Sequence, residues 1–164
     1  MPPLKALFLI ALAALGPAAC GKGGDGAGSA AAVCGTDTTE TLDPGSAQHV
    51  LPGAPEPRYS TDPPTSGAHQ PGAEAAGVVA APLARPVQVS VLEAGGVLFQ
   101  HRSLTPADQR RLEALAGPDV VVSPNPGLTS AVVATAWRHR LDCRGVDPAA
   151  LSTFVAAHRG RGPG

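Results

Sequence analysis

Val87-Gln88-Val89-Ser90-Val91-Leu92-Glu93-Ala94-Gly95-Gly96-Val97-Leu98-Phe99-Gln100-His101 is the stretch on which the fold of this chain turns. Val87, Val89 and Val91 alternate with Gln88, Ser90 and Leu92, which suits a strand with one strongly apolar face. Gly95-Gly96 punctuates the run, and Val97–His101 reads as a second strand paired with the first. The expectation is a hairpin that opens the region of regular structure.

Downstream, Thr105-Pro106-Ala107-Asp108 has the parts of a helix start: Thr as N-cap, Pro in the first turn and an acid at the third position. That helix is expected to run to about Ala116, with Leu112 and Leu115 inward, until Gly117-Pro118 stops it. Val120-Val121-Val122 reads as a short buried strand, and Ala131–Trp137 as another. A last helix starts at Asp147 as cap and Pro148 as first residue, and ends near Arg159. Leu151, Phe154, Val155 and His158 fall at i, i+3, i+4 and i+7 and make one stripe. The order strand–strand–helix–strand–strand–helix predicts an α+β fold with a single core.

Upstream, the chain begins with Lys5, an apolar run from Ala6 to Leu15, and Gly16-Pro17-Ala18-Ala19-Cys20. A positive residue, a short apolar segment and small residues before a cleavage point are the parts of a secretory signal. The run is far below the ~20 residues that span a bilayer as a helix. A cysteine just after the small residues is the acceptor that lipoprotein processing needs, so Cys20 is the expected lipidation site. Pro17, three places before it, stands where such signals usually carry Leu. A plain signal with a secreted product is the alternative. Residues 1–19 are then the signal and 20–33 a tether, which as a random coil spans ~20 Å. The α+β domain covers 34–160, and 161–164 is a tail.

With three cysteines, lipid on Cys20 leaves Cys34 and Cys143 as one pair in an oxidising compartment. A loop on the order of 100 residues closed this way is worth ~4–5 kcal/mol in the chain-entropy account. No CxxC or HxxxH spacing occurs, which removes the usual zinc frameworks. The net charge of −1 carries no electrostatic footprint for nucleic acid. The expected partners are a membrane, reached through the lipid, and a protein or small ligand.

Tyr59-Ser60-Thr61-Asp62-Pro63-Pro64-Thr65-Ser66-Gly67-Ala68-His69 is the most distinctive string. Pro63 and Pro64 fix backbone angles, Thr65 and Ser66 can bond the backbone, and Gly67 can take a turn closed to other residues. The product is a stiff loop that presents His69. With His49-Val50-Leu51-Pro52-Gly53, Thr135-Ala136-Trp137 and Phe154, this string resembles a family of bacterial envelope proteins of unknown function. The resemblance spans roughly Cys34 to His158. Similar proteins carry His-Ser-Leu-Glu-His-Gly where this chain reads Ser90-Val91-Leu92-Glu93-Ala94-Gly95, so both histidines are absent and Glu93 remains.

The resemblance implies a metal or acid–base site in the family, and here His49, His69 and Glu93 are the ligands that could hold a transition metal. The plainer expectation is structural: His69 pins its loop, while Glu93 caps the Gly95-Gly96 turn or pairs with an arginine. His101, His139 and His158 read as packing or surface, Trp137 as core, and Arg138, Arg140 and Arg144 as a solvated face. There is no nucleophile elbow, no phosphate loop and no third group for Ser66 and His69. The chain therefore reads as an exported, lipid-anchored binding domain of the cell envelope rather than an enzyme. A metal-binding protein using His49, His69 and Glu93 is the alternative.

Overall fold

Arg85–Glu93 folds as a helix, α1, and not as the first strand of a hairpin. Pro86 stands in its first turn, where a missing N–H costs nothing. The alternation misleads because its polar members are buried too: Gln88 and Ser90 are as enclosed as Val89 and Val91. Gln88 Nε2 donates to Leu83 O at 2.8 Å, and Ser90 Oγ lies 2.9 Å from Pro86 O one turn back. Tertiary packing thus overrides the modest helix propensity of three valines. Gly95, at φ 83°, ends the helix in the left-handed conformation that glycine takes most readily just past a C-cap.

The computed structural model describes residues 32–72 and 75–163. The signal-like segment, Cys20 and nearly all of the glycine-rich tether lie outside the described residues. Ala31–Gly164 is a compact unit of its own. Among the described residues, no helix is long and apolar enough to cross a membrane.

The other elements are β1 (Thr38–Thr39), β2 (Val97–His101), α2 (Pro106–Glu113), β3 (Val120–Pro124), β4 (Val132–Ala136), β5 (His139–Cys143) and α3 (Pro148–His158). The five strands form one sheet in the order β1-β5-β4-β2-β3. β2 and β3 are parallel, joined through α2, while the other pairings are antiparallel. A parallel pair needs such a crossover, and the helix supplies it. The architecture is α+β in a small single domain. Both helix starts expected downstream are present: Thr105 Oγ1 accepts from Asp108 N, and Asp147 Oδ1 accepts from the amides of Ala149 and Ala150.

Both faces of the sheet are covered, which is why Val97-Leu98-Phe99 and Val120-Val121-Val122 are apolar without a break. Val97, Phe99, Val122 and Leu141 pack on one side with Leu112 of α2 and with Leu151 and Phe154 of α3. Leu98 and Val121 pack on the other with Val91 and Leu92 of α1.

β5 was hidden in the sequence among arginines. Its inward residues Leu141 and Cys143 alternate with Arg140 and Asp142, whose side chains pair on the outer face through Arg140 Nε to Asp142 Oδ2 at 2.7 Å. The arginines are thus not one solvated face: Arg138 and Arg144 are exposed, but Arg140 is half-buried. The hydrogen bonds and charge of Arg140, offset in part by burial, hold the Asp142 carboxyl below its usual range. A disulfide joins Cys34 to Cys143 across 109 residues and ties the segment before β1 to the end of β5.

Candidate functional site

The proline loop owes its shape to side chains that reach into it from elsewhere. Pro63 through His69 are all buried although none belongs to a helix or strand. Buried irregular backbone needs partners for its polar groups, and other parts of the chain supply several of them, although the side-chain Thr65 Oγ1 is left without one. Tyr59 OH donates to Ala68 O at 2.7 Å, Ser66 Oγ accepts from Asp43 N at 2.9 Å, and Thr65 O accepts from Arg138 N at 2.8 Å. His69 N donates to Gln48 O and Val50 N to His69 O, a short parallel bridge between residues 49 and 69. Gly67 sits at φ 132°, and a Cβ there would lie 2.7 Å from Tyr59 Cδ1. Only glycine fits under the tyrosine ring.

Asp43 is the hub of this arrangement, and nothing local in the sequence marked it. Its Oδ1 accepts from Gly45 N, and its Oδ2 accepts from both the amide and the hydroxyl of Ser60. Burial, the largest single influence, works to raise its pKa. The hydrogen bonds from Ser60 and Gly45 together outweigh it and leave the carboxyl below its usual range. For Tyr59, burial dominates and pushes the phenol up to about 12.

His69 contacts each of the other two candidate ligands, His49 and Glu93, but the group of histidine and carboxylate donors that converges among the described residues is a different one, Asp37, His139 and His158. The imidazoles of His49 and His69 meet edge to face with centroids 4.8 Å apart. His69 Nε2 lies 2.9 Å from Glu93 Oε2, and its Nδ1 faces Gly67 O at 3.4 Å. Both nitrogens of this buried ring are therefore committed to oxygens of the protein itself. Glu93, at the end of α1, pairs with the histidine, and neither with the glycine turn nor with an arginine. Ser90, three residues before Glu93 on α1, reaches the same loop: its hydroxyl accepts from Gln70 N at 3.1 Å and lies 2.7 Å from Gln70 O. The loop and α1 are thus fastened at two adjacent points.

Beside this frame runs an open cleft of about 790 Å³, lined among others by Glu93, Trp137, Arg138, His139, His158 and Arg161. Trp137 is half-buried: it follows β4 in the two-residue turn to β5 and shows part of its ring to the cleft. Arg138 holds that turn at φ 62°, with its Nε donating to Glu40 O. Arg161 and Gly162, read from sequence as a tail, lie against the end of α1; a Cβ on Gly162 would meet Glu93 O.

Two of the histidines assigned to packing or surface share a carboxylate at the margin of this cleft. His158 Nε2 lies 2.5 Å from Asp37 Oδ2, and His139 Nδ1 lies 3.3 Å from Asp37 Oδ1. The two rings stack at 3.9 Å. These three residues stand 102 and 121 positions from one another in pairs with Asp37. No spacing rule joins residues so far apart. His101 ends β2 half-buried, where burial lowers its pKa.

Neither a curated protein nor a solved structure gives a significant match to this chain. A family profile does, over residues 54–164, so His49 and the Cys34 half of the disulfide precede the matched region while the proline loop, Glu93 and the whole sheet beyond β1 fall within it. With most of its length matched, the chain belongs to the family described as protein of unknown function DUF3105.

Proposed function

We propose that this protein is an exported domain, tethered to a membrane by lipid on Cys20, that binds a small anionic solute in the cleft beside Trp137 without transforming it. The observation that carries the reading is the cleft: its volume of about 790 Å³ suits a small ligand, and Trp137, Arg138 and Arg161 are among its lining residues. The carboxylates that also line it, Asp43 and Glu93, are engaged by Gly45, Ser60 and His69. An aromatic body to stack on and cations to pair with are what a compact anion with an apolar part needs. The groups that would suggest catalysis are spent on the frame. Ser66 Oγ is taken by Asp43 N, and both His69 nitrogens face protein oxygens.

The tether reading rests on the apolar run, the small residues and Cys20 itself, together with the glycine-rich stretch that follows. A disulfide between Cys34 and Cys143 suits the same oxidising compartment.

Trp137 is the only tryptophan, so its emission reports on the cleft without labelling. Titration with a panel of aromatic carboxylates and phosphate esters should produce a saturable change with at least one member, weakened by Arg161→Ala. A panel that leaves the emission unmoved sinks the ligand reading. Separately, Cys20→Ser should release the protein from the membrane fraction, and unchanged fractionation counts against the anchor.

A further inference from the structure

The geometry points to a divalent transition-metal site formed by Asp37, His139 and His158, distinct from the His49, His69 and Glu93 group. One ligand atom from each of the three lies within 4.8 Å of the other two. Two imidazoles and a carboxylate are the donor set that zinc, copper(II) and iron(II) share. Bonds of about 2.0–2.1 Å in a tetrahedral shell put donor atoms about 3.3 Å apart. His139 Nδ1 and Asp37 Oδ1 are already at 3.3 Å, while His158 Nε2 meets the other oxygen, Asp37 Oδ2, at the hydrogen-bond distance of 2.5 Å, a contact that a bound ion would open and replace.

The fold gathers these donors before any ion arrives. Thr39 pairs with His139 in the antiparallel ladder of β1 and β5, so Asp37, two residues before Thr39, shares its face of the sheet and is the diagonal neighbour of His139. The disulfide at Cys34 and Cys143 clamps the same two segments a few residues away. His158 is the last residue of α3, and the carbonyl end of a helix favours a cation. Its ring is wedged between Phe154, at a centroid distance of 4.6 Å, and His139.

The site is closed on one side and open on the other. The His158 side chain is 9% exposed, whereas those of His139 and Asp37 are 29% and 39% exposed. Three protein donors with an accessible position are the pattern of a metal that keeps water or takes a ligand. Because His139 and His158 also line the cleft, an ion held here adjoins the space beside Trp137. One carboxylate and two neutral imidazoles leave a divalent ion with a net positive charge, which would add to the attraction of the cleft for anions. The metal site stands without that reading, since an ion can bind whether or not a solute does.

The test uses the full-length chain in detergent, stripped with chelator and titrated with zinc alone by calorimetry. One zinc per chain is expected. Asp37→Ala and His139→Ala should each weaken binding by more than the ~10–100-fold that loss of a residue merely supporting a ligand costs. Both positions are partly exposed, and an unchanged far-ultraviolet dichroism spectrum confirms that the variants fold. His49→Ala should bind zinc as the parent does. A parent chain that takes up no zinc overturns the proposal. So does full-strength binding by both Asp37→Ala and His139→Ala, or a loss confined to His49→Ala. The anion titration at Trp137, repeated with and without zinc, separates a failure of this site from a failure of the ligand reading.

Discussion

His69 Nε2 is joined to Glu93 Oε2 at 2.9 Å, so the buried end of the proline loop is anchored to the C-terminus of α1. The histidine side chain is 2% exposed and the glutamate 36%, which places the partnership at the edge of the interior. Removing the carboxylate leaves a buried ring nitrogen facing nothing. Glu93→Ala should lower the unfolding free energy by about 1–3 kcal/mol, the usual penalty for orphaning a buried polar group. Glu93→Gln keeps an acceptor and should cost less. Equilibrium denaturation in urea measures both, and equal losses for the two variants would count against the role of the bond.

Tyr59 carries a prediction that can be read by eye in a spectrum. It is the only tyrosine in the chain. Its hydroxyl donates to Ala68 O, and burial pushes its pKa up to about 12. The phenolate absorbance of native protein should therefore rise near pH 12 rather than at 10.0, the value of an unburied phenol. An ionisation complete by pH 11 would mean that the ring does not cover Gly67 as described.

Acid stability should follow Asp43 and Asp142. Both carboxyls have folded-state values lowered from 3.8. A depressed carboxylate contributes stability that is fully present above its unfolded pKa and is lost as pH falls through the folded one. Unfolding free energy should thus hold steady above about pH 4 and decline below it. Asp43→Asn, which gives up the charge that accepts from Gly45 and Ser60, should cost about 1–3 kcal/mol at neutral pH and flatten that acid limb. A limb of the same slope in Asp43→Asn would assign the acid loss to other groups.

The Cys34–Cys143 bond should make both thiols inert to alkylation until the protein is reduced. Its loop of 109 residues implies that reduction costs ~4–5 kcal/mol in the chain-entropy account, a large share of a small domain's stability. Reduction should also loosen the segment that carries Asp37. Labelling of both cysteines in non-reduced protein would remove the staple and the clamp together.

How much was legible in the sequence differs from element to element. The starts of α2 and α3 were readable because a cap needs only a handful of adjacent residues: Thr105 to Asp108, and Asp147 with Pro148. β2, β3 and the body of β4 were readable as unbroken apolar runs. α1 was misread because alternation announces a strand only when its polar residues meet water, and Gln88 and Ser90 are buried. β5 did carry a period of two, in Leu141 and Cys143 against Arg140 and Asp142, but the density of charge obscured it. At the site, the sequence points to His49, His69 and Glu93, and His69 does contact each of the other two. Asp43, Asp37, His139 and His158 were not grouped.

The sequence by itself determined the class of the fold, the cysteine pair available for a staple and the stiffness of the loop before His69. Each of these depends on residue types and on neighbours along the chain. Only the tertiary structure decided that α1 is a helix, that His69 spends both nitrogens on the frame, and that Asp37 meets both His139 and His158 with its carboxylate. The physical reason is the same in each case. Burial on all sides, a carboxylate's choice of partner and the meeting of donors from β5, α3 and the segment before β1 are set by strand register and packing, which no local pattern encodes.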